Sequence, residues 1–495
     1  MRYLIALLWL IIFTKKLFFW IYLWQLKEYH IGRFLEHFQT YKGKKLLLDY
    51  LLLIKIALLS GIIITARLGL TEFKFDLVYL TALVFFIEAV FSFKNFWKRT
   101  FKKPVWTQKT TFLFNLGISG GILIIFFSFL LELKLTRFTA LFLLFDILIP
   151  VIFSAMVLVF QPLAAILRYR FIKKAKKKRE SFANLLVIGI TGSYGKTSTK
   201  EFLAAILSAK FNILKTQEHQ NSEAGISQCI LNDLTKDHEI FICEMGAYNK
   251  GGIKLLCDIA KPKIGVLTGI NEQHMATFGS LENIIKTKYE LIESLPEDGI
   301  AFFNGKNQYC RELYQKTGIK KQLYGENAGL GLENFEGAKA VAKELGMTDE
   351  EIDLAPRKID NKFPGIKIKE GASGLKIIDA TFSANPDGVM AHLEYLTLRF
   401  PQGKKIIVMP CLIELGKASK EVHQKIGAKI AQTCDLAIIT TKDRFKEIKA
   451  AAGDKVLFME NPNKIFEKIK SFAKEGDVVL LESRVPSQLI DLLIK

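Results

Sequence analysis

Ile190-Thr191-Gly192-Ser193-Tyr194-Gly195-Lys196-Thr197-Ser198-Thr199 decides the fold of the larger part of this chain. A β-type run, 184–191, enters it, a glycine turn follows, and a helical pattern starts at the lysine. Backbone N–H groups at such a helix start have no intrahelical partner and can cradle phosphates. Lys196 is placed to neutralise β/γ oxygens, and the Thr197 hydroxyl to ligate Mg²⁺. Gly192, Ser193, Tyr194, Gly195 and Ser198 complete the expected nucleotide loop. Ile190 holds the place of the first glycine of the general phosphate-loop pattern, so this is a narrower variant, T-G-x-x-G-K-T. A chance glycine turn is the bland alternative; the strand–turn–helix setting argues against it.

Outward from this loop, short apolar runs alternate with amphipathic helical patterns. Segments 240–244, 264–268, 300–303, 375–379, 405–409, 436–440, 456–459 and 478–481 read as strands. That alternation is the mark of a parallel α/β sheet. A boundary is expected near the prolines at 356 and 364. Glu244 ends one apolar strand, where an acid beside a phosphate loop can hold a metal. Asn271-Glu272-Gln273-His274 follows the next strand. Alone, such a histidine is most simply structural. Lys288 lies on a helix expected to be capped by Ser280, and alone it reads as a solvated charge.

Taken together these segments resemble the Mur ligase family, over residues 184–495. Within it they are most like the branch that joins D-alanyl-D-alanine to the UDP-N-acetylmuramoyl tripeptide. The loop 192–201 resembles the family's phosphate loop, and Asn221-Ser222-Glu223-Ala224-Gly225 its asparagine-rich loop. Glu244-Met245-Gly246-Ala247 resembles the magnesium glutamate segment. His274 with Phe278-Gly279-Ser280 resembles the histidine loop. The resemblance implies ATP and Mg²⁺, with Thr197, Glu244 and His274 on the metal side. It implies Lys196, His274 and a carbamylated Lys288 as catalytic residues. It also implies nucleotide contacts from Asn304, Asp379 and Asn385, the last within Ser383-Ala384-Asn385-Pro386-Asp387. Glu414-Leu415-Gly416 and His423 resemble a following helix entry. Several positions depart from the family pattern: Ile366 where an arginine is usual, Ala380 for an aspartate, Pro410-Cys411 for Gly-Asp, and Leu481-Glu482 for Lys-Gly. The family's amino-terminal UDP-sugar domain is expected to be absent, with an apolar third in its place.

That third carries the charge. Of the net +20, residues 1–179 hold 27 Lys+Arg against 8 Asp+Glu, while residues 180–495 hold 42 against 41. A nucleic-acid binder would carry its basic surface on the soluble fold, so no nucleic-acid partner is expected. Five apolar stretches, 3–24, 46–66, 77–93, 112–131 and 138–160, each approach the ~20 residues that cross a bilayer. Lys15 and Lys16 make the first the weakest candidate, with an interfacial position as its alternative. Lysine and arginine crowd the connections after the first, third and fifth stretches, which predicts that everything after Arg179 is cytoplasmic. The six cysteines fall in no CxxC or zinc spacing, which fits a reducing compartment. Lys55, Glu88 and Asp146 sit mid-span and are expected to face the bundle interior as one ion pair plus a neutral acid, or as a polar substrate or proton site.

The expected architecture is therefore an all-α multi-span membrane domain (1–168), a basic linker on lipid headgroups (169–182), an ATP-binding α/β central domain (183–360) and a Rossmann-like carboxy-terminal domain (361–495). The expected activity is ATP-dependent, ADP-forming amide ligation in peptidoglycan precursor synthesis. An acyl phosphate forms on a carboxylate acceptor, which then takes an amino acid or a dipeptide such as D-Ala-D-Ala. The acceptor is a peptidoglycan precursor, or a different lipid-linked or acidic polymer, and membrane lipids are further partners. A non-catalytic ATP-binding scaffold of envelope synthesis is the second reading, prompted by the departures.

Overall fold

Continuous apolar strands need both faces covered, and long apolar helices need one another or lipid; the chain meets these demands in two separate units. The computed structural model describes residues 1–494 except 48, 98–100, 218–219, 329–331, 355–365, 372–373 and 382–383. Its compact units are Met1–Ile166 and Leu167–Lys495.

In the first unit, among the described residues, five helices are long and apolar enough to cross a membrane. The candidate spans are Arg2–Leu26, Tyr41–Arg67 (described as Tyr41–Leu47 and Tyr50–Arg67), Phe75–Trp97, Gln108–Leu130 and Leu135–Val159. The first, the weakest from sequence, is the most enclosed: Ile5, Trp9, Ile12, Leu17, Ile21 and Trp24 are all buried. Its lysine explains this. Lys16 Nζ lies 2.7 Å from Asp146 Oδ2, so the charge is met inside the unit rather than in water. Asp146 also accepts from Lys55 Nζ at 2.6 Å, and Lys55 pairs with Glu88. Two lysines thus face two carboxylates. The expected single pair with a neutral acid is corrected, because Lys16 supplies the missing cation.

The second unit begins inside the helix Gln161–Glu180. The expected linker is the end of this helix. Ile172 and Ala175 enter the apolar core of the α/β domain. Arg179 donates to the carbonyls of Ala260 (2.9 Å), Phe182 (2.9 Å) and Leu185 (3.1 Å). A guanidinium with five fixed donors can satisfy three carbonyls at once, which outweighs its appearance as one more linker charge.

The first sheet contains β1 (Leu186–Thr191), β2 (Ile213–Lys215), β3 (Ile240–Glu244), β4 (Ile264–Leu267), β5 (Ile300–Asn304) and β6 (Lys320–Tyr324). Their order is β2-β3-β1-β4-β5-β6, all parallel. Val187 and Phe241 face one core, while Ile188, Ile190 and Ile242 face the other, which is why these strands read as unbroken apolar runs. The register pairs Ile190 with Glu244 and Thr191 with Leu267. The carboxyl ends of β1, β3 and β4 therefore share one edge.

The second sheet contains β7 (Lys367–Glu370), β8 (Lys376–Ala380), β9 (Lys405–Met409), β10 (Leu436–Ile439), β11 (Val456–Phe458) and β12 (Val478–Glu482). The order is β11-β10-β9-β12-β8-β7, and β7 alone among these runs antiparallel to its neighbour. Sequence reading missed β2, β6 and β7. The first has three residues, and the other two are polar edge strands with no apolar run to detect. The expected boundary near Pro356 and Pro364 lies outside the described residues. All six cysteines are free and buried.

Candidate active site

The phosphate loop has the backbone its sequence demands. Gly192 has φ 154° and Gly195 φ 79°, conformations that side chains rarely adopt. A Cβ at Gly192 would run into the Thr268 hydroxyl, and one at Gly195 into the Asn334 side chain. The helix Lys196–Leu207 starts directly at this turn with Gly195 as its cap, so no side chain covers its first N–H groups. Ser193 Oγ accepts from Asn271 N–H at 3.2 Å, the Tyr194 carbonyl accepts from the Thr268 hydroxyl, and the Tyr194 ring lies against Gly269. Ser198 is half-buried in the first turn. Lys196 Nζ folds back onto the carbonyls of Gly192 (2.8 Å) and Ser193 (3.3 Å). Burial pushes its ammonium below the usual lysine range, against the opposing pull of Glu244.

Beside the loop, Glu244 closes β3. Its carboxylate accepts from Thr197 Oγ1 at 3.0 Å and Asn221 Nδ2 at 3.1 Å, and lies 3.3 Å from Lys200 Nζ. The residues expected from two separate motifs, Thr197 and Glu244, are therefore in contact. Among the described residues no three His, Cys, Asp or Glu side chains gather into a cage. One carboxylate and one hydroxyl nevertheless fit Mg²⁺, which keeps several waters and takes the rest of its shell from phosphate oxygens. Lys200 was not singled out from sequence. It is 1 % exposed, and its following-turn position behind the loop lysine was the available signal.

The next strand end carries the other two expected catalytic residues. His274 has φ 66° and opens the short helix Met275–Phe278. It is not gathered with Glu244; instead its Nδ1 lies 2.6 Å from Glu414 Oε2 of the second sheet domain. Burial holds the imidazole below the ordinary histidine value; the Glu414 hydrogen bond opposes this, while Lys288 and Lys196 add to it. Lys288 stands on the helix Leu281–Glu293, capped by Ser280 as expected. It is 3 % exposed, so the solvated-lysine alternative is overturned. Among the described residues it has no hydrogen bond or ion pair, and only the Phe278 ring, 5.8 Å away, faces its ammonium. Burial, and then the nearby Lys196 charge, push it down to about 7.

Three further expected residues serve the protein itself in this structure. Asn304 donates to Thr268 O at 2.6 Å and accepts from Lys306 N–H at 2.9 Å. Asn385 caps the helix Pro386–Arg399 through Gly388 N–H at 2.9 Å. Asp379 is bonded to Thr381 Oγ1 (2.7 Å) and Lys369 Nζ (3.1 Å); burial pushes its carboxyl up, but these partners hold it below the usual range. Ser383 lies outside the described residues. Two departures from the family pattern have become buried packing. Cys411 Sγ donates to Thr441 O at 3.4 Å, and Glu482 meets His392 Nδ1 at 2.6 Å.

Comparison with known proteins matches both sheet domains to one family. The family described as the Mur ligase middle domain matches residues 190–360, and that described as Mur ligase, glutamate ligase domain, matches residues 366–484. The UDP-N-acetylmuramoyl-tripeptide–D-alanyl-D-alanine ligase of Synechocystis is 29 % identical over 329 residues, covering 60 % of this chain and 71 % of that protein. The Bacillus subtilis protein of the same name is 27 % identical, covering 60 % and 72 %. The crystal structure of MurF ligase from Thermotoga maritima in complex with ADP superposes with a TM-score of 0.57 at 28 % identity, covering 66 % of this chain and 83 % of that one. MurF from Acinetobacter baumannii, 22 % identical, shares the fold with a TM-score of 0.59, covering 66 % and 80 %. With its middle and carboxy-terminal ligase domains both present, the chain belongs to the Mur ligase family of ATP-dependent, ADP-forming amide ligases.

Proposed function

We propose that this protein is a membrane-anchored ligase of peptidoglycan precursor synthesis, which uses ATP to join D-alanyl-D-alanine to the carboxylate of a UDP-N-acetylmuramoyl tripeptide. The single observation that carries the reading is electrostatic. The Lys196 charge lowers both Lys288 and His274, and Lys288 has no ion-pair contact among the described residues, with only the through-space charge of Glu290 opposing. Buried lysines with no carboxylate in contact ask for anions. ATP, a substrate carboxylate and a carbamate on Lys288 are anions of the required kind. At a value of about 7, Lys288 holds a large share of neutral amine near neutral pH, the form that can take up CO₂.

The residues have separable tasks in this reading. The N–H groups at the start of Lys196–Leu207 hold the phosphates, and Lys196 leaves its loop carbonyls to neutralise the transferring one. Thr197 and Glu244 would hold Mg²⁺, whose charge offsets the repulsion between ATP and the acceptor carboxylate. His274 would join them on the metal side, with a carbamylated Lys288 as its anionic neighbour. The acceptor carboxylate takes the γ-phosphoryl group as ADP leaves; the amine then attacks the acyl phosphate, phosphate departs and the amine gives up a proton, in a cleft from which water must be kept. The five apolar helices support anchoring in the cytoplasmic membrane, and the lysine/arginine asymmetry supports ligase domains on its cytoplasmic side.

A second acceptor, a lipid-linked precursor, has one observation in its favour. Arg168, among the first residues of the second unit, bonds Glu223 at 3.0 Å, two residues from the Asn221 that holds Glu244. The first helix of the second unit is thus tied next to the metal-side loop. The test is the detergent-purified protein with ATP, Mg²⁺ and D-Ala-D-Ala, offered the UDP-linked and the lipid-linked muramoyl tripeptide in turn. The expected result is phosphate release and one new amide by mass, dependent on both substrates. ATP consumption with no amide product on either acceptor overturns the ligase reading in favour of an ATP-binding scaffold.

A further inference from the structure

Two ligase domains must close to keep water out, and in this structure they meet through a small set of bonds. Glu414, on the loop after β9, has φ 66°, and its backbone carbonyl accepts from Ala276 N–H at 3.1 Å. Asn271 Nδ2 donates to Asp387 Oδ2 at 2.7 Å across the same gap. The central contact is the Glu414 carboxylate on His274 Nδ1 at 2.6 Å, with 9 % of the glutamate side chain exposed. Two non-glycine residues in left-handed backbone meet head-on, a cost that folds retain where the surrounding structure needs it. Gly416, two residues on, also has positive φ, and a Cβ there would press on the Ala276 backbone.

We propose that Glu414 is a positioning residue: reaching across from the carboxy-terminal domain, it orients His274 so that domain closure completes the metal side of the active site. The inference rests on the reading of His274 as a metal-side residue and adds its partner. A carboxylate only accepts, so the bond fixes the imidazole proton on Nδ1 and leaves the lone pair on Nε2. Histidines that serve metals regularly give their other N–H to a carboxylate in this way. The Tyr248 ring, edge-on to the imidazole at 4.9 Å and 84°, holds the ring plane from a second side. What sets this case apart is that the carboxylate and the histidine come from different domains. The open form would leave His274 with the Tyr248 contact but without its carboxylate, and the metal side would be assembled only when the cleft is shut.

The experiment uses the full-length protein in detergent with ADP, and Mn²⁺ as the probe, free Mn²⁺ being counted by electron paramagnetic resonance. Glu414→Gln keeps the shape and the Ala276 backbone bond but removes the charge. It is expected to weaken Mn²⁺ binding about 10- to 100-fold and to lower kcat in step. Glu414→Asp, one methylene shorter, serves if the amide unsettles the loop, and should bind Mn²⁺ more weakly than wild type. His274→Ala separates the two layers. If it loses Mn²⁺ while a folded Glu414→Gln or Glu414→Asp binds as wild type, the orienting role is overturned and the metal role of His274 stands. If His274→Ala also binds as wild type, the metal reading itself falls, and this inference with it.

Discussion

The molecule buries ionisable groups in two places, and it treats them in opposite ways. In the helical unit, Lys16 and Lys55 face Glu88 and Asp146, and each ammonium has a carboxylate within hydrogen-bond distance. At the ligase site, Lys288 is buried under the influence of the Lys196 charge with no carboxylate in ion-pair contact among the described residues, and the lowered imidazole of His274 feels both lysines. Glu244 is held by Thr197, Asn221 and Lys200, and Glu414 holds His274 from the other domain. Matched charges close on themselves and need nothing further, which makes them a scaffold. Unmatched like charges raise the energy of the empty site and are relieved when an anion arrives.

The contrast is broken most directly at Lys196. Lys196→Ala should cut acceptor-dependent phosphate release by about 10³-fold, since it removes the fixed charge on the transferring phosphate. Turnover near wild type would mean that this cation cluster is not the working one. In the helical unit the effect should fall on stability. Lys55→Met leaves two carboxylates with one lysine and should cost about 3 kcal/mol, read as a lowered melting midpoint in detergent. Lys55→Met combined with Glu88→Leu restores the balance and should recover most of the loss. A double variant no better than the single would argue that the cluster does more than hold helices together.

Lys288 sharpens the comparison because a control sits two residues away. Lys286 is two-thirds exposed and paired with Glu282 at 2.7 Å, whereas Lys288 is buried and has no carboxylate within ion-pair distance among the described residues. Lys288→Ala should lose about 10²-fold in ligation, and Lys286→Ala less than about two-fold. Bicarbonate depletion should slow the wild type, and a small carboxylic acid should partly restore Lys288→Ala. Equal, mild losses would remove the carbamate. The smallest effect is a pH dependence. Lys288 is lowered from 10.5 to about 7 in the folded state, so between these values the unfolded chain binds the extra proton. Stability then rises with pH across that window and is lowest below it. Melting midpoints of wild type and Lys288→Met should therefore differ in slope between pH 7 and 10. Parallel curves would mean the lysine keeps its proton.

Much of this was legible in the residues. The phosphate loop, the Glu244 strand end and the Ser280 cap are local features, each written in a few consecutive positions. Strands β1, β3, β4, β5, β8, β9, β10 and β12 announce themselves by apolar runs because they are covered on both faces, while the short edge strand β11 shows only by its Val456-Leu457-Phe458 run. The strands that were missed are short or sit at an edge, where no such run is required.

The remainder needed the fold. Composition placed Lys16 as a flaw in a membrane span, but its partner Asp146 is 130 residues away. The run 173–180 read as a basic linker on lipid headgroups until Arg179 found three carbonyls. Lys288 could be taken for a surface charge, since helical periodicity tells which face a residue occupies but not what covers that face. The Glu414–His274 bond spans 140 residues and two domains. By itself the sequence determined the local backbone and the identity of each charge. Only the tertiary structure decided which charges are answered and which are left near a like charge, because electrostatic energy depends on distance in space and on exclusion of water, and neither is written along the chain.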